Sequence, residues 1–149
     1  MGKIDLKSGF VNLVGMPNSG KSTLINKLVG RKISIVSNKV QTTRFCIRGI
    51  CNYHLSNKLK SQIIFVDTPG IFFPKRRLEK AMVTAAWSEL NLTDKVVFIH
   101  DVLKKIDNDT KEIIEKIFEK KSDVILVLNK IDLLPKEDLL KKISEIKNL

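Results

Sequence analysis

The stretch that decides the fold covers residues 10–30 and reads FVNLVGMPNSGKSTLINKLVG. Residues 10–14 form a short apolar run, as expected of a strand, and residues 15–22 match the pattern G-x-x-x-x-G-K-[S/T]. Residues 22–29 then repeat apolar side chains with helical spacing, and Gly30 suits a helix stop. A glycine-rich turn between a strand and a helix predicts a phosphate-binding loop.

Phosphate binding explains the residue types found in this loop. Glycines let backbone N–H groups converge on phosphate oxygens, and the positive end of the helix adds to the attraction. We expect Lys21 to reach the β- and γ-phosphates of a nucleotide and Ser22 to bind Mg²⁺. A glycine-rich turn that binds nothing is the alternative, which the flanking strand and helix disfavour. The expected phosphate contacts are Gly15, Asn18, Ser19, Gly20, Lys21, Ser22 and Thr23.

A second motif, Asp67-Thr68-Pro69-Gly70, follows the apolar run 63–66. At the end of a buried strand, Asp67 is predicted to face the Mg²⁺ shell, and the backbone N–H of Gly70 to approach the γ-phosphate. D-x-x-G alone also describes many turns, so an Asp67 without a metal is the alternative. Its position on the strand after the phosphate loop favours the metal role.

A third element is the pair Thr42 and Thr43, within the tract Gln41-Thr42-Thr43-Arg44. A nucleotide switch needs a threonine hydroxyl that reaches Mg²⁺ when the γ-phosphate is present. We favour Thr43 for this role and therefore predict Ser22, Thr43 and Asp67 as the metal residues. Two ordinary polar loop residues are the alternative.

The base is predicted to bind at Asn129-Lys130-Ile131-Asp132, after the apolar run 124–128. A carboxylate at Asp132 can accept from both N1–H and N2–H₂ of guanine, whereas adenine offers no such pair of donors. Asn129 is expected to contact the base and brace the phosphate loop, and the stem of Lys130 to stack under the base. The wrong base would leave a buried acceptor unpaired, which makes such discrimination strong.

Along the whole chain the predicted order is strand, helix, strand, strand, helix, strand, helix, strand, helix, which is typical of a layered α/β sheet. Residues 45–54 alternate as in an edge strand, with Phe45, Ile47, Cys51 and Tyr53 on one side. Continuous apolar runs predict strands buried on both faces at 63–66, 96–99 and 124–128. The helical stripes are Leu24, Ile25, Leu28 and Val29; Ile106, Ile113, Ile114, Ile117 and Phe118; and Leu139, Leu140, Ile143 and Ile146.

Composition sets the broad class. The chain has 149 residues, of which 43% are hydrophobic and 29% charged, as in one globular domain. Cys46 and Cys51 are too far apart on a strand to form a disulfide, which suits a reducing cytoplasm. The formal net charge of +11 fits binding to nucleic acid or anionic lipid, or simply a lysine-rich composition. No apolar run approaches the length of a membrane span.

The four motifs G-x-P-N-S-G-K-S, Q-T-T-R, D-T-P-G and N-K-I-D resemble those of the bacterial Era GTPases. Residues 30–37 and 39–44 are similar to the first Era switch, and residues 69–71, 75–78 and 81–83 to the second. The resemblance runs from about Gly9 to Asp132 and implies a Ras-like, three-layer P-loop NTPase fold. In that fold a mostly parallel sheet carries helices on both faces.

The resemblance also implies a function. Era proteins are GTP-hydrolysing factors of small-subunit ribosome assembly, and they bind 16S ribosomal RNA of the 30S subunit through a KH domain. The resemblance further implies a cytoplasmic protein with loose association to the inner membrane, and we expect a monomer. The septum-site and iron-transport types of P-loop protein are disfavoured by Q-T-T-R.

The resemblance stops short of a whole Era protein. We expect residues 1–149 to be a truncated G domain, incomplete at its C-terminus. It would lack the sixth strand, the S-A-x loop, the last helix and the KH domain. An exposed sheet edge would follow. The alternative function is a non-catalytic remnant that binds guanine nucleotide weakly as an interaction module.

Hydrolysis is expected to depend on Lys21, Thr43 and Gly70, which would stabilise charge and place the attacking water. Many GTPases orient that water with a glutamine just after D-x-x-G, and Ile71 stands there, so we expect slow turnover. Binding of K⁺ near Asn18, as in related GTPases, is a hypothesis.

Several other residues are assigned no site. His54, His100 and Asp101 have no metal-ligand or nucleophile pattern around them, and Trp87 is expected to pack. The basic tract 75–77 favours a solvated face over an RNA contact.

Overall fold

A computed structural model of the chain describes residues 5–36, 43, 45–54, 59–74, 76–121 and 123–147. Within these ranges the helices and strands follow the order that the sequence predicted. The strands are β1 (Asp5–Val14), β2 (Ile47–His54), β3 (Leu59–Asp67), β4 (Lys95–Asp101) and β5 (Val124–Asn129). The helices are α1 (Lys21–Val29), α2 (Arg77–Asn91), α3 (Asn108–Lys120) and α4 (Lys136–Lys147), with a 3-10 turn at Ile131–Leu133.

The five strands form one sheet in the order β2-β3-β1-β4-β5. Only β2 is antiparallel to its neighbour; the other three pairings are parallel. The carboxyl ends of β1, β3, β4 and β5 therefore meet at one edge of the sheet. Leu13 lies opposite Asp67, and Asp101 opposite Asn129. Ligands of open α/β sheets bind at this kind of edge.

The core lies on both faces of the sheet, as the predicted three-layer fold requires. On one face Val14, Val96 and Phe98 pack with apolar residues of α2 and α3, and the half-buried Trp87 packs against them as expected. On the other face Leu13, Phe65 and Ile99 pack with Ile25 of α1. The successive residues Leu13 and Val14 thus serve opposite layers, as strand geometry dictates. None of the described helices is long and apolar enough to cross a bilayer.

The antiparallel strand β2 matches the predicted edge strand, with one difference. Gly49 and Cys51 are buried, while Ile50 between them faces solvent. The prediction for Phe45 was wrong, because β2 begins at Ile47 and Phe45 is 81% exposed. The alternation of apolar and polar residues thus extends to Phe45, in the loop before β2, although the strand itself does not. Cys46 and Cys51 are both free thiols, as predicted.

The prediction that residues 124–128 are buried on both faces was also wrong. Ile125 is 52% and Leu126 38% exposed. Among the described residues β5 pairs with β4 alone, so it lies at the edge of the sheet. The run of apolar residues therefore predicted the strand correctly, but it did not show that only one neighbouring strand pairs with it among the described residues.

Each helical stripe was predicted too wide. Leu28, Phe118 and Leu140 are exposed to solvent, although each has a buried or half-buried neighbour in its stripe. A helix that packs on a sheet buries only a narrow row of side chains. The next residue along the chain is rotated by about 100° around the helix axis and so points away from the sheet. Ile106 is buried but precedes α3.

Candidate nucleotide-binding site

The loop between β1 and α1 has a backbone that demands glycine at two places. Gly20 has φ 100°, and a Cβ there would lie 2.1 Å from Nδ2 of Asn129. Gly15 has φ 152°, and a Cβ there would lie 2.3 Å from the carbonyl oxygen of Ile99. The loop also turns at Asn18, with φ 63°. These contacts close the loop tightly over the ends of β4 and β5.

Lys21 places a buried cation inside this loop. Its side chain is only 6% exposed, and Nζ donates to the carbonyl oxygens of Gly15 (3.1 Å) and Met16 (2.9 Å). Burial lowers the pKa of Lys21 to about 8, and the nearby carboxylate of Asp67 opposes that shift. A buried ammonium group at the first residue of a helix is suited to an anionic ligand, which would restore its preference for the charged form.

Three oxygen-bearing side chains from distant parts of the chain meet beside Lys21. The hydroxyl of Ser22 donates to Oδ2 of Asp67 over 2.7 Å and lies 3.2 Å from Oγ1 of Thr43. Oγ1 of Thr43 also donates to Oδ2 of Asp67 over 3.4 Å. The other carboxylate oxygen, Oδ1, is buried and has no hydrogen-bond partner among the described residues. Oxygen ligands of this kind suit Mg²⁺. Thr42 lies outside the described residues.

The segment after Asp67 lies directly on the phosphate loop. A Cβ on Gly70 would lie 2.8 Å from the backbone nitrogen of Pro17, so glycine permits this approach. The backbone N–H of Ile71 donates to the carbonyl oxygen of Gly15 over 3.1 Å. The Ile71 side chain is 1% exposed and belongs to the core beneath. Its apolar side chain therefore has a packing role.

Residues after β5 also attach to the phosphate loop. Nδ2 of Asn129 donates to the carbonyl oxygen of Ser19 over 2.8 Å, and Nζ of Lys130 donates to that of Asn18 over 3.2 Å. Lys130 has φ 62°, where the chain leaves the strand for the turn that carries the exposed Asp132. The phosphate loop and the predicted base-binding residues are thus one connected unit.

One predicted phosphate contact lies apart from these side-chain interactions. Thr23 is exposed and lines an open depression of about 610 Å³ with basic residues that include Lys27 and Arg31. In the basic tract 75–77, Arg76 and Arg77 are exposed, and Lys75 lies outside the described residues.

Two residues near the site had no predicted role. Asp101, at the end of β4, is 5% exposed, and its Oδ2 accepts from Nζ of Lys130 over 2.6 Å. Asn26, one turn after Ser22 in α1, bonds to the backbone of residues 33 and 34. Asp101 could have been suggested by its position at a strand end; nothing in the sequence singles out Asn26.

The histidines take no part in the site. Burial lowers the pKa of His100, whose Nε2 lies 3.3 Å from the carbonyl oxygen of Lys104, and His54 is exposed. Within the described ranges no group of three or more His, Cys, Asp and Glu side chains could hold a metal.

A family model described as "50S ribosome-binding GTPase" matches residues 10–130. The chain belongs to this family. The matched residues contain the phosphate loop, Thr43, Asp67 and the pair Asn129 and Lys130, all described above.

Relatives within the family agree in sequence and structure. The chain is 54% identical to the GTPase Era of Bradyrhizobium sp. (strain ORS 278) over 134 residues, which are 90% of this chain and 42% of that protein. It is 41% identical to a point variant of Aquifex aeolicus Era bound to GDP.AlF4⁻, with a TM-score of 0.85, over 95% of this chain and 47% of that one. A structure of Era with MgGDPNP and nucleotides 1506–1542 of 16S ribosomal RNA gives 39% identity and a TM-score of 0.83, over 97% and 48%.

The chain therefore spans less than half the length of these relatives.

Proposed function

We propose that this chain binds GTP and GDP together with Mg²⁺ and slowly hydrolyses GTP. The observation that carries the proposal is the meeting of Ser22, Thr43 and Asp67 oxygens beside the buried ammonium group of Lys21. A carboxylate, two hydroxyls and a cation at a helix N-terminus match the needs of a magnesium-bound polyphosphate.

The phosphates would bind to the loop 15–22. Lys21 would release its two loop carbonyls, or share them, to contact the β- and γ-phosphates. The first backbone N–H groups of α1 and the loop between Asn18 and Gly20 would supply further donors. Because Gly70 touches Pro17, a γ-phosphate in the loop would lie near its backbone.

Magnesium fits the oxygen set of Ser22, Thr43 and Asp67. The buried Oδ1 of Asp67 lacks a hydrogen-bond partner among the described residues, which leaves a negative oxygen available. Bound Mg²⁺ would neutralise negative charge on the β- and γ-phosphates. The protein's own contribution is to hold the two hydroxyls and the carboxylate within hydrogen-bonding distance of one another.

Guanine would be read by Asp132 through its N1–H and N2–H₂ groups. Asn129, already bonded to Ser19, would fix the base relative to the phosphates. Lys130, held by Asp101 and Asn18, would lay its aliphatic stem along the base. The base and phosphate sites would therefore move as one body.

In hydrolysis, water attacks the γ-phosphorus and the bond to the β–γ bridging oxygen breaks. The products are GDP, inorganic phosphate and a proton. Lys21 would stabilise the charge that develops on the phosphates, and Thr43 and the backbone of Gly70 would place the water. Turnover is slow because Ile71 is buried in the core and offers no polar group to orient that water.

We further propose a role in small-subunit ribosome assembly for the protein that contains this G domain. The support is the likeness to an Era structure that holds nucleotides 1506–1542 of 16S ribosomal RNA. Cytoplasmic location, loose inner-membrane association and a monomeric state are proposed from the same family likeness. K⁺ near Asn18 is also proposed, and GTPase rates in KCl and NaCl would test it: equal rates would refute it.

The first test is titration of the purified chain with fluorescent GDP in the presence of Mg²⁺. We expect saturable binding that GDP competes away and ATP does not. Asp132→Asn should abolish it, whereas Asp109→Asn, the same chemical change at an exposed position on α3, should not. Binding should be followed by measurement of phosphate release from GTP.

Two results would contradict the proposal. A folded chain that does not bind GDP would refute the guanine site. GDP binding without any phosphate release would instead favour a non-catalytic nucleotide-binding module.

A further inference from the structure

We propose that Asn26 is a positioning residue for Thr43, which acts when a triphosphate is bound and has little effect on GDP binding. The inference rests on the proposed function, since it concerns how the Thr43 hydroxyl is brought to the metal and the γ-phosphate. Asn26 itself lies outside the predicted set of nucleotide contacts.

The Asn26 side chain makes three hydrogen bonds to one short piece of backbone. Its Oδ1 accepts from the N–H groups of Ile33 (2.8 Å) and Ser34 (2.9 Å). Its Nδ2 donates to the carbonyl oxygen of Ser34 over 2.8 Å. Ser34 is only 1% exposed. A single amide therefore fixes both the position and the direction of the chain at residues 33 and 34.

The helix that carries Asn26 also carries the metal and phosphate residues. Asn26 follows Ser22 by four residues in α1, so the two side chains lie on the same side of the helix, one turn apart. Any nucleotide held by Lys21 and Ser22 thus lies in the same rigid frame as the Asn26 amide. The backbone of residues 33 and 34 is bonded to that frame, while the Ile33 side chain packs against the core over Gly49 of β2.

The chain is fixed again at Thr43, nine residues beyond Ser34. Oγ1 of Thr43 lies 3.2 Å from the hydroxyl of Ser22. Immediately after Ser34 the apolar side chains of Ile35 and Val36 are 64% and 52% exposed, so the core does not hold the chain there. Asn26 is therefore the last described anchor before the segment that leads to Thr43.

This arrangement predicts a nucleotide-selective effect. A switch threonine binds the metal only when the γ-phosphate is present. Loss of the Asn26 bonds would free the backbone of residues 33 and 34, although the Ile33 side chain still packs against the core. More conformational entropy would then be lost when Thr43 binds the metal. The contacts proposed for GDP, through Lys21, Asn129 and Asp132, do not involve that segment.

The test compares Asn26→Ala with Lys27→Ala, an exposed neighbour on the same helix. Dissociation constants would be measured for GDP and for a non-hydrolysable GTP analogue in the presence of Mg²⁺. We expect Asn26→Ala to weaken binding of the analogue about tenfold while GDP affinity stays within about twofold, because each net hydrogen bond contributes modestly. Lys27→Ala should change neither.

Two further variants separate positioning from a structural role. Asn26→Asp retains the acceptor for both N–H groups and loses the donor to Ser34, so its analogue affinity should lie between wild type and Asn26→Ala. This variant carries the test if Asn26→Ala does not fold. The double variant Asn26→Ala/Thr43→Ala should bind the analogue no more weakly than Thr43→Ala alone, because Asn26 acts through Thr43.

The outcomes distinguish this inference from the proposed function. If wild type binds no GDP, the proposed function fails and this inference fails with it. If wild type binds GDP, two results would refute the positioning role and leave the guanine site intact. In one, the Asn26 variants weaken binding of GDP and of the analogue equally; in the other, they weaken the binding of neither. Additive losses in the double variant would also refute it.

Discussion

The Ser22 hydroxyl donates a 2.7 Å hydrogen bond to the carboxylate of Asp67, although 45 residues separate them in the chain. Asp67 is fully buried and held at the end of β3, so its charge is fixed at the first turn of α1. Mg²⁺ affinity at the proposed site should therefore depend on the negative charge of the Asp67 carboxylate.

The first prediction concerns the carboxylate of Asp67. Asp67→Asn removes the negative charge and keeps the shape, so Mg²⁺ affinity in the presence of a GTP analogue should fall about 10- to 100-fold. Titration of the nucleotide complex with MgCl₂ would measure this. Asp138→Asn on the exposed face of α4 is the control. Wild-type Mg²⁺ dependence in Asp67→Asn would show that this carboxylate is not part of a metal site.

The second prediction compares two glycines with positive φ. Alanine at Gly20 would place Cβ 2.1 Å from Nδ2 of Asn129, so Gly20→Ala should break the link to Ser19 and reduce GDP affinity at least tenfold. Gly30 has φ 74° but open space around it, so Gly30→Ala should cost about 1 kcal/mol of stability without loss of affinity. Nucleotide titration and urea denaturation of both variants would measure these effects. Equal GDP affinity in the two would contradict the proposed packing of Asn129.

The third prediction concerns the pH dependence of the nucleotide-free chain. Burial lowers the pKa of Lys21 to about 8, below its ordinary value of 10.5, so between these values the unfolded chain binds more protons than the folded one. The free energy of unfolding should therefore rise with pH across this window, by up to about 3 kcal/mol. Below pH 8 the cost of the buried charge is fully present.

Urea denaturation between pH 7.5 and 10.5, with Lys21→Met as reference, would isolate this effect from other titrating groups. The difference in stability between wild type and Lys21→Met should shift in favour of wild type as pH rises. A difference independent of pH would mean that Lys21 keeps an ordinary pKa.

The fourth prediction concerns Asp101 and Lys130, whose side chains form a 2.6 Å ion pair. Asp101→Asn should weaken GDP binding roughly tenfold, because a charge-assisted hydrogen bond that orients Lys130 is lost. In a double-mutant cycle with Lys130→Met, the two losses should not add.

The exposed pair Lys95 and Asp123 provides the control for that cycle. Asp123→Asn should leave GDP affinity unchanged and alter stability by less than about 1 kcal/mol. Additive effects of Asp101 and Lys130 would mean that the ion pair does not orient the lysine.

The sequence predicted the order of strands and helices from its apolar runs and helical stripes, and β1, β3 and β5 are each followed by a motif with its own backbone demands. The phosphate loop requires glycine at positive φ, and Asp67 and Asn129 end strands whose carboxyl ends meet. Local chemistry and strand direction were enough to bring these residues to one edge. The functional role of each remains a prediction for the experiments above.

The sequence could not predict what depends on tertiary neighbours. Ile125 and Leu126 are apolar like core residues, and their exposure follows from the position of β5 in the sheet. Leu28 is more exposed than Val29 only because of how α1 is oriented on the sheet. Asn26 and Asp101 form hydrogen bonds with partners 8 and 29 residues away in the sequence, and no motif marks either residue.

The hydrogen bond between Asn129 and Ser19 spans 110 residues and has a consequence for synthesis of the protein. A nascent chain that has just left the ribosome through residue 30 holds the phosphate loop sequence but none of the parts that brace it. Under the proposed function, nucleotide would bind tightly only after β5 has joined the sheet. Bound GDP would then stabilise the chain folded through β5 by about 2.7 kcal/mol at one hundred times its dissociation constant, and shorter nascent chains would gain nothing from it.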